Sequence, residues 1–217
     1  MITNFKIFEQ EQNLKILFSI LKNSEHPYID ILKLYENDEL EIICPVLFEL
    51  SHTEEGHKNN FLHTLQVLKN VCDNNYSYEM KIVALFHDIG KPKTKRKIGN
   101  NDWSFHNHEA VGANMFVKLC KENSINDIDI DYLYRMILNH GRVKMHRDVT
   151  ESAIRRLSTD VGSDIIFDII NFSKCDLTTK NKIKYEKISS GLDTIRDRII
   201  EVSKKDEYNA WRSPLTG

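Results

Sequence analysis

Apolar residues recur every three or four positions over most of this chain, and that spacing restricts its fold more than any other feature. The interval is the period of a helix that buries one face. Glycine and proline are scarce, 8 and 4 among 217 residues, and no apolar-polar alternation lasts long enough for a large sheet. The expectation is therefore all-α, with helices near 5–22, 26–36, 40–51, 59–73, 78–88, 108–122, 129–140, 150–159, 162–178 and 181–203. One stretch departs from this pattern. Between Lys95 and Phe105 a Gly99-Asn100 turn separates two short segments, which predicts a small β-hairpin around 95–105. Residues 1–52 read as a helical N-terminal extension and 53–217 as the main domain.

Several function classes are excluded by composition. No apolar run approaches the ~20 residues of a bilayer-spanning helix, so no membrane partner is expected. Met1-Ile2-Thr3-Asn4-Phe5-Lys6 lacks a secretory apolar stretch. Cys44, Cys72, Cys120 and Cys175 are scattered without a C-x-x-C pair, which points away from a disulfide framework or zinc ribbon and toward a reducing cytoplasm. A net charge of -2 excludes a generally cationic coat for nucleic acid, although it leaves local patches open.

Polar residues on apolar stripes carry the chemistry. Met80, Val83 and Ala84 form a stripe that His87 continues, and Ile165, Ile169 and Phe172 lead to Asp176 on one face. His108 heads a stripe through Val111, Met115 and Leu119; His140 ends one through Leu133 and Ile137; His63 sits beside Leu62, Leu65, Leu68 and Cys72. Any one of these histidines alone reads as a core residue bonded to a backbone carbonyl. Five inward polar groups, with His87 followed directly by Asp88, shift the reading to a metal site, because a buried carboxylate needs a partner or a cation. Imidazole plus carboxylate suits Mn, Fe, Co, Ni or Zn, and the absence of nearby cysteines argues against structural zinc.

The order His63, His87-Asp88, Asp176 resembles the H…HD…D signature of HD-domain phosphohydrolases. Phe61-Leu-His-Thr-Leu-Gln-Val-Leu68, Ala84-Leu-Phe-His-Asp-Ile-Gly-Lys-Pro92, Phe105-His-Asn-His-Glu109 and Lys174-Cys-Asp-Leu177 are similar to the HD part of bacterial and phage tRNA nucleotidyltransferases, as is the end, Trp211-Arg-Ser-Pro-Leu-Thr-Gly217. The resemblance covers about 55–217 and implies an HD-type helical bundle. It also implies a first metal on His63, His87, Asp88 and Asp176, and a second on His108 and His140, with Asp88 bridging. The cofactor is then one or two divalent ions (Mn, Fe, Ni, Co or Mg). His106 rivals His108, but the His-Glu pair of the pattern favours His108.

Nucleotidyltransferases also need a Gly-Ser motif before an Asp-x-Asp pair. The only Asp-x-Asp here, within Asp127-Ile-Asp-Ile-Asp131, has no Gly-Ser ahead of it and reads as a helix start, so nucleotide addition is not implied. The implied activity is phosphoester or phosphodiester hydrolysis on nucleotides or RNA ends, such as 2′,3′-cyclic or 2′-phosphates, by a cytoplasmic monomer or homodimer. Asp88 and Lys91 are the candidate catalytic residues; Lys91 reads equally well as a helix C-terminal lysine that satisfies the dipole. Arg142, Lys144, His146 and His57 are candidates for holding phosphate. Lys91-Pro-Lys-Thr-Lys-Arg-Lys97, on an expected loop, and one of Arg155 and Arg156 can steer a polyanion, while His26 and His52 read as ordinary residues. A nucleotidase or a cyclic-nucleotide or alarmone hydrolase is one competing reading. A non-catalytic RNA- or partner-binding module that keeps a metal for stability is the other.

Overall fold

The computed structural model describes residues 2–55, 58–99, 102–143 and 150–212. Its regular structure is helical apart from two antiparallel two-stranded ribbons, so the all-α expectation holds. Two compact units divide the chain, Met1–His140 and Gly141–Gly217.

In the first unit, α1(Ile2–Asn23), α2(Pro27–Glu36), α3(Leu40–Ile43) and α4(Pro45–Ser51) precede a ribbon of β1(Glu54–Glu55) and β2(Lys58–Asn59). α5(Asn60–Asp73), α6(Tyr78–Phe86) and α7(Lys91–Thr94) follow, then a second ribbon of β3(Arg96–Lys97) and β4(Trp103–Ser104). α8(His108–Glu122) and α9(Ile130–Asn139) complete the unit. α5 packs on α2, α4 and α6, while α6 also meets α1 and α9, and α8 lies against α7 and α9. Phe86 ties these layers together, with its ring 6.1 Å from Phe18 of α1 and 5.4 Å from Phe116 of α8. The two helices most important for the site have side-chain caps. Asn59 accepts from the Leu62 amide at 3.0 Å, and Ser77 accepts from the Met80 amide at 3.3 Å.

Three expectations need correction. The single helix expected at 40–51 is two, because Pro45 has no N–H to continue the ladder and Cys44 before it is extended, at φ -150 and ψ 83. The Lys91–Lys97 segment is one helical turn running into β3 rather than a loop, and the β1–β2 ribbon was not anticipated. The expected hairpin is present, with Arg96 opposite Ser104 and Lys97 opposite Trp103; Asn100 and Asn101 at its tip lie outside the described residues.

The second unit contains α10(Glu151–Val161), α11(Ile166–Cys175) and α12(Lys182–Arg212), and the last packs on the other two. Gly162, at φ 102, ends α10, so the next helix starts at Ile166, later than the expected 162. Arg155 pairs with Asp206 at 2.8 Å and Glu151 at 3.1 Å, a structural link between α10 and α12; Arg156 is exposed.

Candidate metal centre

Five side chains, one from each of five helices or their ends, converge on the Asp88 carboxylate in the first unit. One oxygen, Oδ2, lies 3.2 Å from His87 Nε2, 3.9 Å from His63 Nε2 and 3.0 Å from Lys91 Nζ. The other, Oδ1, lies 3.3 Å from His108 Nε2 and 3.9 Å from His140 Nε2. Asp88 thus belongs to two triads, His63–His87–Asp88 and Asp88–His108–His140, each with ligand atoms within 4.8 Å of one another.

Local backbone geometry produces this convergence. His87 and His140 are the residues that close α6 and α9, and both still have right-handed helical dihedrals. His87 Nδ1 bonds the Ala84 carbonyl at 3.0 Å, His140 Nδ1 the Ile137 carbonyl at 2.7 Å, and His108 Nδ1 the Phe105 carbonyl at 2.9 Å. A carbonyl can only accept, so Nδ1 donates in all three, and in the neutral ring Nε2 then turns its lone pair to the site. A histidine bonded to the backbone through Nδ1, as a core histidine is, can therefore also offer Nε2 to a metal.

α8 reaches Asp88 through a backbone contact. A Cβ on Gly90 would stand 2.1 Å from the His108 carbonyl oxygen and 2.6 Å from the Gly112 nitrogen, so only glycine permits this approach. Asn107, in the left-handed region at φ 67, makes the turn into α8. His108 is half-buried. The buried side of α8 runs through Gly112, Ala113, Phe116 and Cys120 rather than the expected Val111, Met115 and Leu119. On α5, Leu62 is exposed, and His63 itself shares the buried face with Val67 and Val71.

Burial pushes the Asp88 carboxyl up, but His87 and His108 beside it and the Lys91 ammonium outweigh this and hold it well below the usual carboxylate range. An ionised carboxylate facing imidazole lone pairs needs positive charge between them, supplied by protons on the rings or by a cation. A divalent metal meets that need at neutral pH, and the donor set of imidazole and carboxylate fits one. The cluster of His63, His87, Asp88, His108 and His140 can hold such an ion.

Lys91 is buried at the start of α7, where its ammonium meets Asp88 and donates to Asn60 Oδ1 at 3.1 Å. Asn60, fully buried, donates in turn to the Thr53 carbonyl at 2.7 Å. Asn60 was missed from sequence, although it lies three residues before His63 and hence on the same helix face. His106 is exposed and belongs to neither triad. Asp176, half-buried, closes α11 in the second unit, where its amide bonds the Phe172 carbonyl at 2.9 Å. Arg142, in the same unit, is exposed in the turn after His140. His57, Lys144 and His146 lie outside the described residues, whereas His26 and His52 are exposed.

A cluster of histidines around one shared aspartate in a helical bundle is an arrangement that can hold a metal ion. More specifically, the family model of the HD domain matches residues 60–188, and the chain belongs to that family. The HD domain places it in a superfamily of metal-dependent phosphohydrolases. Among curated proteins it is similar to a "Multifunctional CCA protein" of Teredinibacter turnerae, 31% identical over 106 residues, covering 46% of this chain and 25% of that protein. It also resembles a "Multifunctional CCA protein" of Hahella chejuensis, 33% identical over 94 residues, covering 41% of this chain and 21% of that protein. The matches thus span a quarter or less of those relatives. Among the described residues no helix is long and apolar enough to cross a membrane.

Proposed function

We propose that this chain hydrolyses phosphomonoesters or phosphodiesters on nucleotides or RNA ends, such as 2′,3′-cyclic or 2′-phosphates, with one or two divalent ions (Mn, Fe, Ni, Co or Mg). The observation that carries the reading is Asp88 shared between two triads whose histidines turn Nε2 inward. His63, His87, Asp88, His108 and His140 are the ligands, and Asp176 joins them on the order of the H…HD…D signature alone. When bound, such ions polarise the phosphoryl group and generate a nucleophile from water at neutral pH. Asp88 holds the two ligand sets together, and the three Nδ1 bonds keep the rings from turning away. Lys91 brings a buried positive charge to the edge of the cluster, suited to a phosphate oxygen. Arg142, Lys144 and His57 are further phosphate contacts on sequence grounds. The RNA-end substrate class is supported by the similarity to the multifunctional CCA proteins. A cytoplasmic monomer or homodimer is the form in which the enzyme acts.

The test is a screen of phosphatase and phosphodiesterase substrates with Mn, Ni, Co and Mg, repeated with a chelator and with Asp88→Ala. Turnover that needs both the metal and Asp88 is expected. Metal binding without turnover of any phosphoester would sink the enzyme reading in favour of a binding module.

A further inference from the structure

The hairpin of β3 and β4 is not used by the metal centre, yet both its ends start there. Lys91, at the foot of one strand, contacts Asp88, and His108, just past the other, contacts the same carboxylate. Phe105 joins the two, with its ring 5.6 Å from the Lys91 ammonium. Between Lys91 and Phe105 stand five basic residues (Lys91, Lys93, Lys95, Arg96 and Lys97) and a single acid, Asp102. Among the described residues no ion pair engages Lys93, Lys95, Arg96 or Lys97.

This surface also has an aromatic. Trp103 is 41% exposed and Ile98 60%, both large apolar side chains on a ribbon too small to bury them. The Lys95 ammonium lies 4.5 Å from the centre of the Trp103 ring. An open indole beside unpaired cations matches the two needs of an unpaired nucleotide, a flat surface for the base and positive charge for its phosphate. A duplex keeps its bases stacked on one another and can use only the charge.

We propose that the β3–β4 hairpin holds the single-stranded part of a nucleic-acid substrate, with Trp103 stacking on a base and Lys95, Arg96 and Lys97 meeting its phosphates. This deepens the phosphohydrolase reading and rests on it for the fate of the bound strand, though not for the binding itself. The strand would be held on the segment whose two ends, Lys91 and His108, meet Asp88.

The two ideas separate experimentally. In a Trp211→Phe protein, Trp103 is the remaining tryptophan, and a single-stranded oligoribonucleotide added with chelator should quench it saturably. Anisotropy of the same labelled strand should show at least about tenfold weaker binding by Trp103→Ala, equivalent to about 1.4 kcal/mol and within the range of one base stack. Trp103→Phe should keep most of the affinity. Replacing Lys95, Arg96 and Lys97 with Ser should weaken binding and flatten its salt dependence. A small chromogenic phosphodiester, assayed with metal, should be hydrolysed equally by Trp103→Ala and the parent. The proposal is overturned by an unquenched Trp103, by unchanged affinity in Trp103→Ala, by a duplex that binds as tightly as the single strand, or by equal losses on the small substrate. A parent that binds the strand but hydrolyses nothing would instead sink the phosphohydrolase reading and leave the hairpin's role standing.

Discussion

Replacing Gly90 with alanine asks whether a backbone contact, rather than any side chain, brings His108 to Asp88. Gly90 has φ -77 and ψ -16, dihedrals that alanine adopts freely, so the substitution adds no backbone strain of its own. What it adds is a methyl group 2.1 Å from the His108 carbonyl oxygen and 2.6 Å from the Gly112 nitrogen. To restore van der Waals contact the first turn of α8 must retreat by about 1 Å. That retreat carries His108 Nε2, now 3.3 Å from Asp88 Oδ1, beyond about 4 Å. Overpacking of this kind costs about 1–3 kcal/mol, and both colliding groups are backbone, so the upper end applies. The stiffer unfolded chain returns about 0.4–1 kcal/mol. The net loss of about 2–3 kcal/mol corresponds to a fall in Tm of roughly 4–12 °C for a chain of this size. Thermal unfolding followed by far-UV circular dichroism measures the first effect, and calorimetric titration with Mn measures loss of the metal site that uses His108. Gly112→Ala is the control. Its nearest neighbour is the Gly90 nitrogen at 3.1 Å, which asks for a shift of only a few tenths of an ångström, so its effect should be clearly smaller. A Gly90→Ala protein with the parent's Tm and metal stoichiometry would refute the reasoning.

Asp88→Ala should abolish metal binding at both triads, read by metal analysis after dialysis, because each shares this carboxylate; one retained equivalent would mean that the triads are independent. Lys91→Met should remove a buried charge while filling its volume, keep the metals and slow hydrolysis; unchanged turnover would return Lys91 to a structural partner of Asn60. Ser77→Ala should destabilise the protein by about 0.5–2 kcal/mol in urea unfolding with little effect on turnover, since it removes only the cap of α6. Asp206→Asn tests the α10–α12 pair by its pH dependence. Arg155 holds the Asp206 carboxyl below its usual value, so its contribution is present above about pH 4 and fades as pH falls through the lowered folded-state value. The variant should melt earlier than the parent at neutral pH, with the gap closing in acid; a constant gap would show that charge is not the cause.

Nearly every helix could be read from sequence, because burial of one face writes its period directly into the order of residues. His87 and His140 could be assigned to the interior for the same reason, since each extends a stripe whose earlier members, such as Val83 and Ile137, are buried. The H…HD…D order and its flanking motifs pointed to the family that the HD-domain match establishes. Finer placement was less legible. The stripe chosen for α8 was off by one position, because Gly112 and Ala113 are too small to register as apolar landmarks yet lie at its closest contact. Asn60 escaped notice because its value depends on Lys91, 31 positions away. Sequence by itself determined most of the helices and the kinds of side chain offered to a metal, which follow from local period and chemistry. Only the tertiary structure decided which oxygen of Asp88 each imidazole faces, and that Gly90 sets the approach of α8. Those are distances between segments far apart in the chain, and no local preference encodes them.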